Sequence, residues 1–369
     1  PLLKDEHEIR EIPDNCTVSD ILQNNAHPQM KGMMIRRFGS IIGYYLSELF
    51  GSSKPFYVLT HFKAVIASIK QCMVKADILM EDLQKMGVSD AHYYSVWMND
   101  GALIMTMLKR KKRISNFFIR LHGYDLFDER RDGNYMPFRK MNFKNANRVF
   151  VLSQAGVDYL KTKNLYPEKL KCNYSGLYDH GVGPFDPEAK FTLLSCSSLN
   201  PFKRVDRIVE LLKLLDFPIK WVHIGDGAEF ENIKSLAAGL PDSVEVQLPG
   251  RLSNPEVIKY YQENHVNLFI HLSETEGLGM AAVEAQSFGV PGLSLDVGGV
   301  KEVVNDQSGM LLPLETSVED LAKKVTEFKS SQMNSEAFRK QVREYFLEKF
   351  EATKNYRFFY EQIEQYSAL

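Results

Sequence analysis

This 369-residue sequence lacks several features that mark particular classes of protein. No uninterrupted apolar run reaches the roughly 18 residues that a bilayer-spanning helix needs. The acidic opening PLLKDEHEIREIP does not have the pattern of a signal peptide. The formal net charge is only −2, so no overall positive field attracts nucleic acid. These absences predict a cytoplasmic protein without a nucleic-acid partner.

Cysteine is also scarce, and its spacing excludes two further classes. The four cysteines have neither the paired spacing of a zinc site nor the density of a disulfide-rich secreted domain. A reducing compartment is therefore expected for Cys16, Cys72, Cys172 and Cys196. The chain begins at Pro1 rather than methionine, so we expect the N-terminal domain to be incomplete.

Strand-like and helix-like segments alternate along the chain. Residues 56–87 have apolar residues at helical spacing, and later runs such as FTLLSCSSLN, IKWVHIGDG and VNLFIHLS are typical of buried strands. Alternation of this kind predicts parallel sheets built from βαβ units. Two such series predict an α/β protein with two Rossmann-like domains that face each other across a cleft. We place these domains at 1–184 and 185–350, with a C-terminal helix at 351–369 that crosses back to the first domain.

Four loops of the second domain follow predicted strands. Ligands in open parallel sheets bind at the carboxyl ends of the strands, where loops lead into helices. We therefore expect all four loops to face one cleft. Their sequences are SSLNPFKRVDR, GDGAEFE, PGRLSNPE and SETEGLGMAAVE.

The fourth loop has the composition of an anion-binding turn. Gly277 and Gly279 allow a tight turn and close approach to a ligand, and the amides there and at the helix start would bind a diphosphate. Glu276 can accept hydrogen bonds from sugar hydroxyls, and Glu284 could hold the two hydroxyls of a ribose. The prediction requires that this turn be open to a cleft.

A pair of cations follows the first strand of the same domain. Lys203 and Arg204 would supply the positive charge that faces the diphosphate, at about 1.5 to 3 kcal/mol for each charge-assisted hydrogen bond. Cations at a helix N-terminus oppose the helix dipole, so their presence needs a functional reason. Together with the glycine-rich turn, they predict a site for a sugar nucleotide. The alternative is that these charged residues only cap and solvate helices.

At these residues the sequence resembles the retaining glycosyltransferases of family 4, which have the GT-B fold. Glu276-x7-Glu284 with EGLG between the two glutamates is that family's signature. Further motifs occur in the family's order, and RLHGYD resembles bacterial members that build surface polysaccharides. The resemblance covers about residues 90 to 369. The further motifs are KR at 203–204, GDG at 225–227, PG at 249–250, FGVP at 288–291 and GGVKEVV at 298–304.

The resemblance implies a metal-independent enzyme that moves a hexose-type sugar with retention and needs no cofactor. The donor would be a nucleoside diphosphate sugar such as a UDP sugar, and the acceptor a saccharide or lipid-linked saccharide. Three catalytic residues are implied: Glu276 at the sugar, Lys203 at the diphosphate and His122 from the first domain. The implied donor-binding residues are Arg204, Gly277, Leu278, Gly279, Met280, Glu284, Ser198, Gly225, Gly250 and Arg251, with Gly298, Gly299 and Glu302 in a supporting loop.

Two departures from the family pattern leave an alternative open. Ser198 stands where members usually carry arginine, although Arg204 could supply the missing charge. Residues 1–55 contain no strand and glycine-rich loop of the kind that shapes the family's acceptor site. These departures favour a catalytically silent GT-B scaffold that supports a partner transferase. The presence of Glu276, Glu284, Lys203 and His122 opposes it, because a silent scaffold does not need them together.

No metal site is predicted. The chain has no Asp-x-Asp pair, which a metal-chelating GT-A transferase would carry. Three histidines in the second domain have no carboxylate or cysteine spacing that suggests a metal, so a structural role is predicted for His223, His265 and His271.

Two segments leave open a peripheral contact with the inner face of a membrane. LKRKKRI at 108–114 is either a solvated helix end or a contact for anionic lipid head groups. KGMMIRRFGSIIGYYLSELF at 31–50 is either an ordinary packed amphipathic helix or a helix in a membrane interface.

Overall fold

The computed structural model describes Cys16, residues 37–88 and residues 91–367. The chain divides into two compact units. The first contains the described residues up to Val151, together with Val157–Cys172 and the residues from Glu361 onward. The second contains Leu152–Gly156 and Asn173–Tyr360. Each unit has a parallel sheet with helices, which confirms the predicted α/β class with two Rossmann-like domains.

The first unit is built on a four-stranded parallel sheet in the order β1-β2-β3-β4. All five residues of β2 are buried, as expected of a strand covered on both faces. The fourth strand was not predicted, because three residues are too short to show a period. The strands are β1 (Tyr93–Ser95), β2 (Phe117–Leu121), β3 (Arg148–Val151) and β4 (Leu170–Cys172).

Local sequence accounts for the helix ends in the first unit. The helical pattern of residues 56–87 forms two helices, which meet at His61. Asn99 caps α4, since its side chain accepts a hydrogen bond from the amide of Gly101. The helices are α1 (Phe38–Gly51), α2 (Pro55–Thr60), α3 (Phe62–Lys85), α4 (Asp100–Arg110), α5 (Gly123–Leu126), α6 (Arg139–Asn145) and α7 (Gln154–Thr162).

The second unit has a six-stranded parallel sheet in the order β10-β9-β8-β5-β6-β7. From β5, strands β6 and β7 are added in turn on one side, and β8, β9 and β10 are added in turn on the other. This is the arrangement of a doubly wound nucleotide-binding fold. The order reverses between β5 and β8. The strands are β5 (Phe191–Cys196), β6 (Ile219–Ile224), β7 (Val244–Gly250), β8 (Leu268–His271), β9 (Gly292–Leu295) and β10 (Gly309–Leu312).

Helices pack against this sheet, and together they form two apolar clusters. One cluster contains Trp221 and the apolar face of α8, and the other contains Phe269 and Phe288. The helices are α8 (Val205–Leu212), α9 (Phe230–Ala237), α10 (Asn254–Glu263), α11 (Met280–Ser287), α12 (Val318–Lys329) and α13 (Glu336–Lys349), followed by α14 (Ala352–Ser367). The last of these, α14, corresponds to the helix predicted at 351–369, whereas β10 was not predicted.

The segment after Cys172 packs on the second unit. The amide of Leu177 donates to the carbonyl of Phe350 at 3.0 Å, and the amide of Ala352 donates to the carbonyl of Leu177 at 3.0 Å. A Cβ on Gly176 would lie 2.4 Å from Cα of Ala352. These contacts explain why the structural boundary precedes the glycine- and proline-rich segment 177–190.

Candidate functional site

The reversal of strand order in the second unit brings two chemically active loops together. The loop after β5 carries Lys203, and the loop after the adjacent β8 carries Glu276. The two loops are joined directly, because the amide of Glu274 donates to the carbonyl of Phe202 at 2.9 Å. Ligands of doubly wound sheets bind at such a reversal, so the topology places these two side chains at the expected binding edge.

Lys203 and Glu276 form a hydrogen-bonded ion pair between Nζ and Oε1. Their side chains are only 15% and 14% exposed, so the pair is screened from bulk water. The Nε2 atom of His271, at the end of β8, lies 3.0 Å from the same Oε1 atom. Burial alone would raise the pKa of Glu276, but His271 and Lys203 outweigh it and hold that pKa at about 2.

A structural role was predicted for His271, and the structure adds that this residue supports a carboxylate of the candidate site. The ring contacts the central carboxylate of the site, and the backbone carbonyl of His271 accepts a hydrogen bond from Ser294 Oγ at 2.9 Å. The signal in the sequence was its place at the end of a strand, five residues before Glu276. The same role was predicted for His223, which is buried beside Ser195 in the sheet, with Nδ1 2.8 Å from Oγ.

The turn after Glu276 carries a row of unused backbone donors. Gly279 has φ of +92°, a left-handed conformation that favours glycine and turns the chain into α11. The first amides of that helix to bond are those of Ala282 and Val283, which donate to the carbonyl of Gly279. Within the described chain, none of the five N–H groups from Gly277 to Ala281 has a hydrogen-bond partner. Such a row of donors at a helix N-terminus suits an anion.

This turn is packed rather than open, contrary to expectation. Gly277, Leu278 and Gly279 are buried. The loop after β9 lies against them, and a Cβ on Gly299 would be 2.3 Å from the carbonyl oxygen of Gly277. A Cβ on Gly279 would be 3.3 Å from Cγ2 of Val300. The sequence motif GGV at 298–300 thus keeps the turn in place by close backbone packing.

Glu284 lies on α11, and its environment contrasts with that of Glu276. Its Oε1 accepts one hydrogen bond, from Nδ2 of Asn254 at 3.2 Å. Burial raises the pKa of Glu284 to about 7, and the hydrogen bond from Asn254 opposes that rise. The two signature glutamates therefore differ: one is ionised at neutral pH, while the other is poised to gain or lose its proton.

The neighbouring loops place the other predicted donor-binding residues. Gly225 has φ of +152°, and a Cβ there would lie 1.8 Å from the carbonyl oxygen of Ser197. Its amide donates to the carbonyl of Gly250 at 2.9 Å, so this glycine packs three loops together. Gly250 has φ of +78° and open space where a Cβ would lie. Ser198 is exposed and accepts a hydrogen bond from Asn200, and Arg251 is exposed.

Arg204 lies beside the site but contacts a different acid. It has φ of +53°, and its Nε is 3.6 Å from Oε1 of Glu274, whose side chain is 54% exposed. The structure thus brings together Lys203, Glu276 and the turn at 277–279, with Arg204 held at the edge by Glu274. Met280, the first residue of α11, is half-buried.

His122 belongs to the first unit, directly after β2. Its ring stacks on Trp97, with centroids 4.2 Å apart, and its amide donates to Oδ1 of Asp125 at 2.6 Å. Burial and the nearby charge of Arg120 lower the pKa of His122 to about 4, so the ring is neutral at physiological pH. Its approach to a sugar stays a prediction.

Glu302 has a role that the sequence did not reveal. Its carboxylate accepts hydrogen bonds from the amides of Gln154 and Ala155, both at 2.7 Å, and from the hydroxyl of Tyr174 at 2.8 Å. The negative charge of Glu302 is therefore held by two amides that, like Glu302 itself, belong to the second unit. Gly298 has φ of +54° and precedes the loop that covers the turn.

The described residues contain no group of three His, Cys, Asp or Glu side chains arranged to hold a metal ion. Helices within 37–88 and 91–367 are all too short or too polar to span a bilayer.

The site lies where the strand order of a doubly wound sheet reverses, and it contains a buried cation, a carboxylate and unpaired amides. Sites of this class bind phosphate-containing ligands. Comparison with known proteins narrows the class. Residues 184–345 match the family model described as glycosyl transferases group 1. The predicted resemblance to GT-B glycosyltransferases is confirmed by this match and by the solved structures of the same fold.

Three similar proteins illustrate the match. An uncharacterized glycosyltransferase of Methanocaldococcus jannaschii is 29% identical over 247 residues, which is 64% of each chain. The Anabaena protein HepE, solved in complex with UDP, has a TM-score of 0.67 at 18% identity and covers 79% of this chain and 82% of its own. Sucrose-phosphate synthase from Thermosynechococcus elongatus has a TM-score of 0.68 at 17% identity, and the match covers 81% of this chain and 79% of the synthase. These structural likenesses establish the fold, and the match to the curated relative spans just under two thirds of its length.

Proposed function

We propose that this protein is a glycosyltransferase that moves a sugar from a nucleoside diphosphate sugar to an acceptor hydroxyl during glycoconjugate or polysaccharide synthesis. The observation that carries the proposal is the Lys203–Glu276 ion pair at the point where the strand order reverses. Beside it, among the described residues, the amides of the half-buried Met280 and Ala281 have no hydrogen-bond partner, while Gly277, Leu278 and Gly279 are packed. Cation and amides suit a diphosphate, and an ionised carboxylate suits sugar hydroxyls.

The same geometry suggests how the donor bond is broken. Charge develops on the diphosphate as it departs from the anomeric carbon, and Lys203 with the turn amides would stabilise that charge. Preorganised donors of this kind are often the largest contribution to catalysis. Glu276, held in place by His271, would fix the sugar ring. We propose retention at the anomeric carbon and no requirement for a divalent ion.

We propose that Glu284 recognises the ribose. Its raised pKa means that it can donate as well as accept a hydrogen bond near neutral pH. UDP is the first nucleotide to test, because HepE was solved with it. The acceptor is a saccharide or lipid-linked saccharide, and His122 is the candidate contact from the first unit.

The test begins with binding and proceeds to turnover. The purified chain is screened by thermal shift against UDP, GDP and ADP and then against the sugars of whichever nucleotide stabilises it. Release of nucleoside diphosphate from that donor is then measured with and without acceptor saccharides. We expect stabilisation by one nucleotide and slow donor hydrolysis that an acceptor accelerates. Binding without any turnover would indicate a silent scaffold, and no binding of any nucleotide would remove the proposal.

A further inference from the structure

Large apolar side chains are exposed on three consecutive helices at the start of the described chain. Phe50 and Phe56 are 82% and 77% exposed, on either side of the turn between α1 and α2. Four others, on the same helices, are at least 42% exposed. Exposed apolar groups in this density usually mark an interaction surface. We call this surface the apolar face, and its members are Phe38, Leu46, Phe50, Phe56, Leu59 and Phe62.

The apolar face is nearly free of charge. Between Phe38 and Phe62 the only charged residues are Glu48 and Lys54. Glu48 is buried, where it accepts a hydrogen bond from the amide of Phe138, and Lys54 is exposed. The exposed side of α1 therefore carries Phe, Leu, Ser and Gly but no carboxylate. A helix that is apolar on its solvent side as well as on its core side belongs in a less polar medium than water.

A cluster of cations lies against the same helix. The guanidinium of Arg110 stacks on the ring of Tyr44 in α1, 4.7 Å from its centroid. Arg37, directly before α1, lines a cavity of about 390 Å³ with Lys111 and Arg113. Asp77 and Glu81 line the same cavity, and Asp77 pairs with Arg37. With Arg110 and the exposed Lys112, this basic cluster has five cations and two carboxylates, so its net charge is positive.

We propose that the apolar face and this basic cluster together form a docking surface for an anionic phospholipid membrane. The phenyl rings would enter the head-group region while the cations bind lipid phosphates, which is how interfacial helices attach to bilayers. Each lysine or arginine near an anionic surface strengthens the attachment. The surface is built within the first unit and does not depend on the donor site in the second, so it goes beyond the proposed transferase function.

The experiment is flotation of the full chain with phosphatidylcholine vesicles that contain or lack phosphatidylglycerol. We expect binding only to the vesicles that contain phosphatidylglycerol, and loss of that binding in high salt. The double variant Phe50→Ser with Phe56→Ser should reduce partitioning on the order of a hundred-fold. The double variant Lys112→Glu with Arg113→Glu should reduce it on the order of ten-fold or more.

Matched variants in the second unit control for the loss of surface apolar area and charge. Tyr178→Ser with Val182→Ser removes two side chains that are each 62% exposed, and Lys323→Glu with Lys324→Glu reverses two charges. Both controls should float like the unmodified chain. Thermal unfolding and nucleotide binding of every variant show whether the units remain folded.

Four results would overturn the proposal. They are no flotation with either vesicle, equal flotation with both, flotation that the face and cluster variants do not change, and a dimer that dissociates when Phe50 and Phe56 are replaced. The last result, detected by light scattering after gel filtration, would assign the apolar face to a second copy of the chain.

Discussion

Lys203 and Glu276 are joined by an ion pair across the point where the strand order of the second sheet reverses. The lysine comes from the loop after β5 and the glutamate from the loop after β8, and these strands are direct neighbours. The pair is little exposed, and Nε2 of His271 lies 3.0 Å from the same carboxylate oxygen. A diphosphate that enters this site would meet a cation already fixed in position, at little further cost in side-chain entropy.

Replacement of Lys203 by alanine should reduce kcat/KM by about 10² to 10³, because one preorganised donor to the developing charge is lost. The matched control is Lys213→Ala, which removes an exposed lysine after α8. Steady-state kinetics with the donor found by thermal shift provide the measurement. Near-normal turnover of Lys203→Ala, with the fold intact by circular dichroism, would exclude the role proposed for this lysine.

The pKa of Glu284 predicts how stability varies with pH. In the folded state this pKa is raised from 4.5 to about 7 by burial. Between these values the folded protein holds a proton that the unfolded chain has released, so stability falls as the pH rises through this window. Below pH 4.5 the carboxyl is protonated in both states, and its contribution is fully present.

Glu284→Gln should abolish this dependence. The difference in thermal midpoint between this variant and the unmodified chain should increase in favour of the variant from pH 5 to pH 8. The corresponding difference in stability is a few kcal/mol at most, on the order of 1.4 kcal/mol for each unit of pKa shift. Glu319→Gln, at an exposed carboxylate on α12, is the control and should show no such trend. Parallel curves for Glu284→Gln and the unmodified chain would contradict the assigned pKa.

Gly299→Ala should displace the anion-binding turn. The added Cβ would lie 2.3 Å from the carbonyl oxygen of Gly277 and 2.6 Å from Cβ of Ser153, and both neighbours are packed. We expect a loss of stability of about 1 to 3 kcal/mol and weaker nucleotide binding. Gly239→Ala is the control, since the nearest atom to its Cβ would be 3.6 Å away. Calorimetric titration with the preferred nucleotide would measure the effect, and unchanged affinity would show that the turn does not touch the ligand.

Removal of metal ions should leave turnover unchanged, because Lys203 and the turn amides would provide the positive charge that a divalent ion provides elsewhere. The measurement is donor turnover after dialysis against EDTA, with and without added magnesium or manganese. Activity that disappears with EDTA and returns with either ion would refute metal independence.

The secondary structure of many single segments was predictable from the sequence, because it depends on the local spacing of apolar residues. The strands at 191–196, 219–224 and 268–271 follow from their apolar runs. Short elements escaped this approach. The three residues of β4 are too few to show a period of two, and β10 was missed although β8, of the same length, was predicted.

The candidate site was predictable in part. The spacing of Glu276 and Glu284 around two glycines predicted a turn into a helix, and the turn is there. What the two carboxylates do was not predictable, because a pKa depends on neighbours from distant segments. Lys203 and His271 lower the pKa of Glu276, while α10 contributes only the amide of Asn254 to Glu284.

By itself, the sequence determined the α/β class, the glycine-rich turn and the residue types that suit a sugar nucleotide, since all three depend on local propensity and spacing. Only the tertiary structure decided which loops meet, because strand order is a property of the whole sheet. That order placed Lys203 beside Glu276, brought His271 into the site, and packed Gly299 against Gly277. Contacts between residues distant in sequence arise from packing, and no local pattern encodes them.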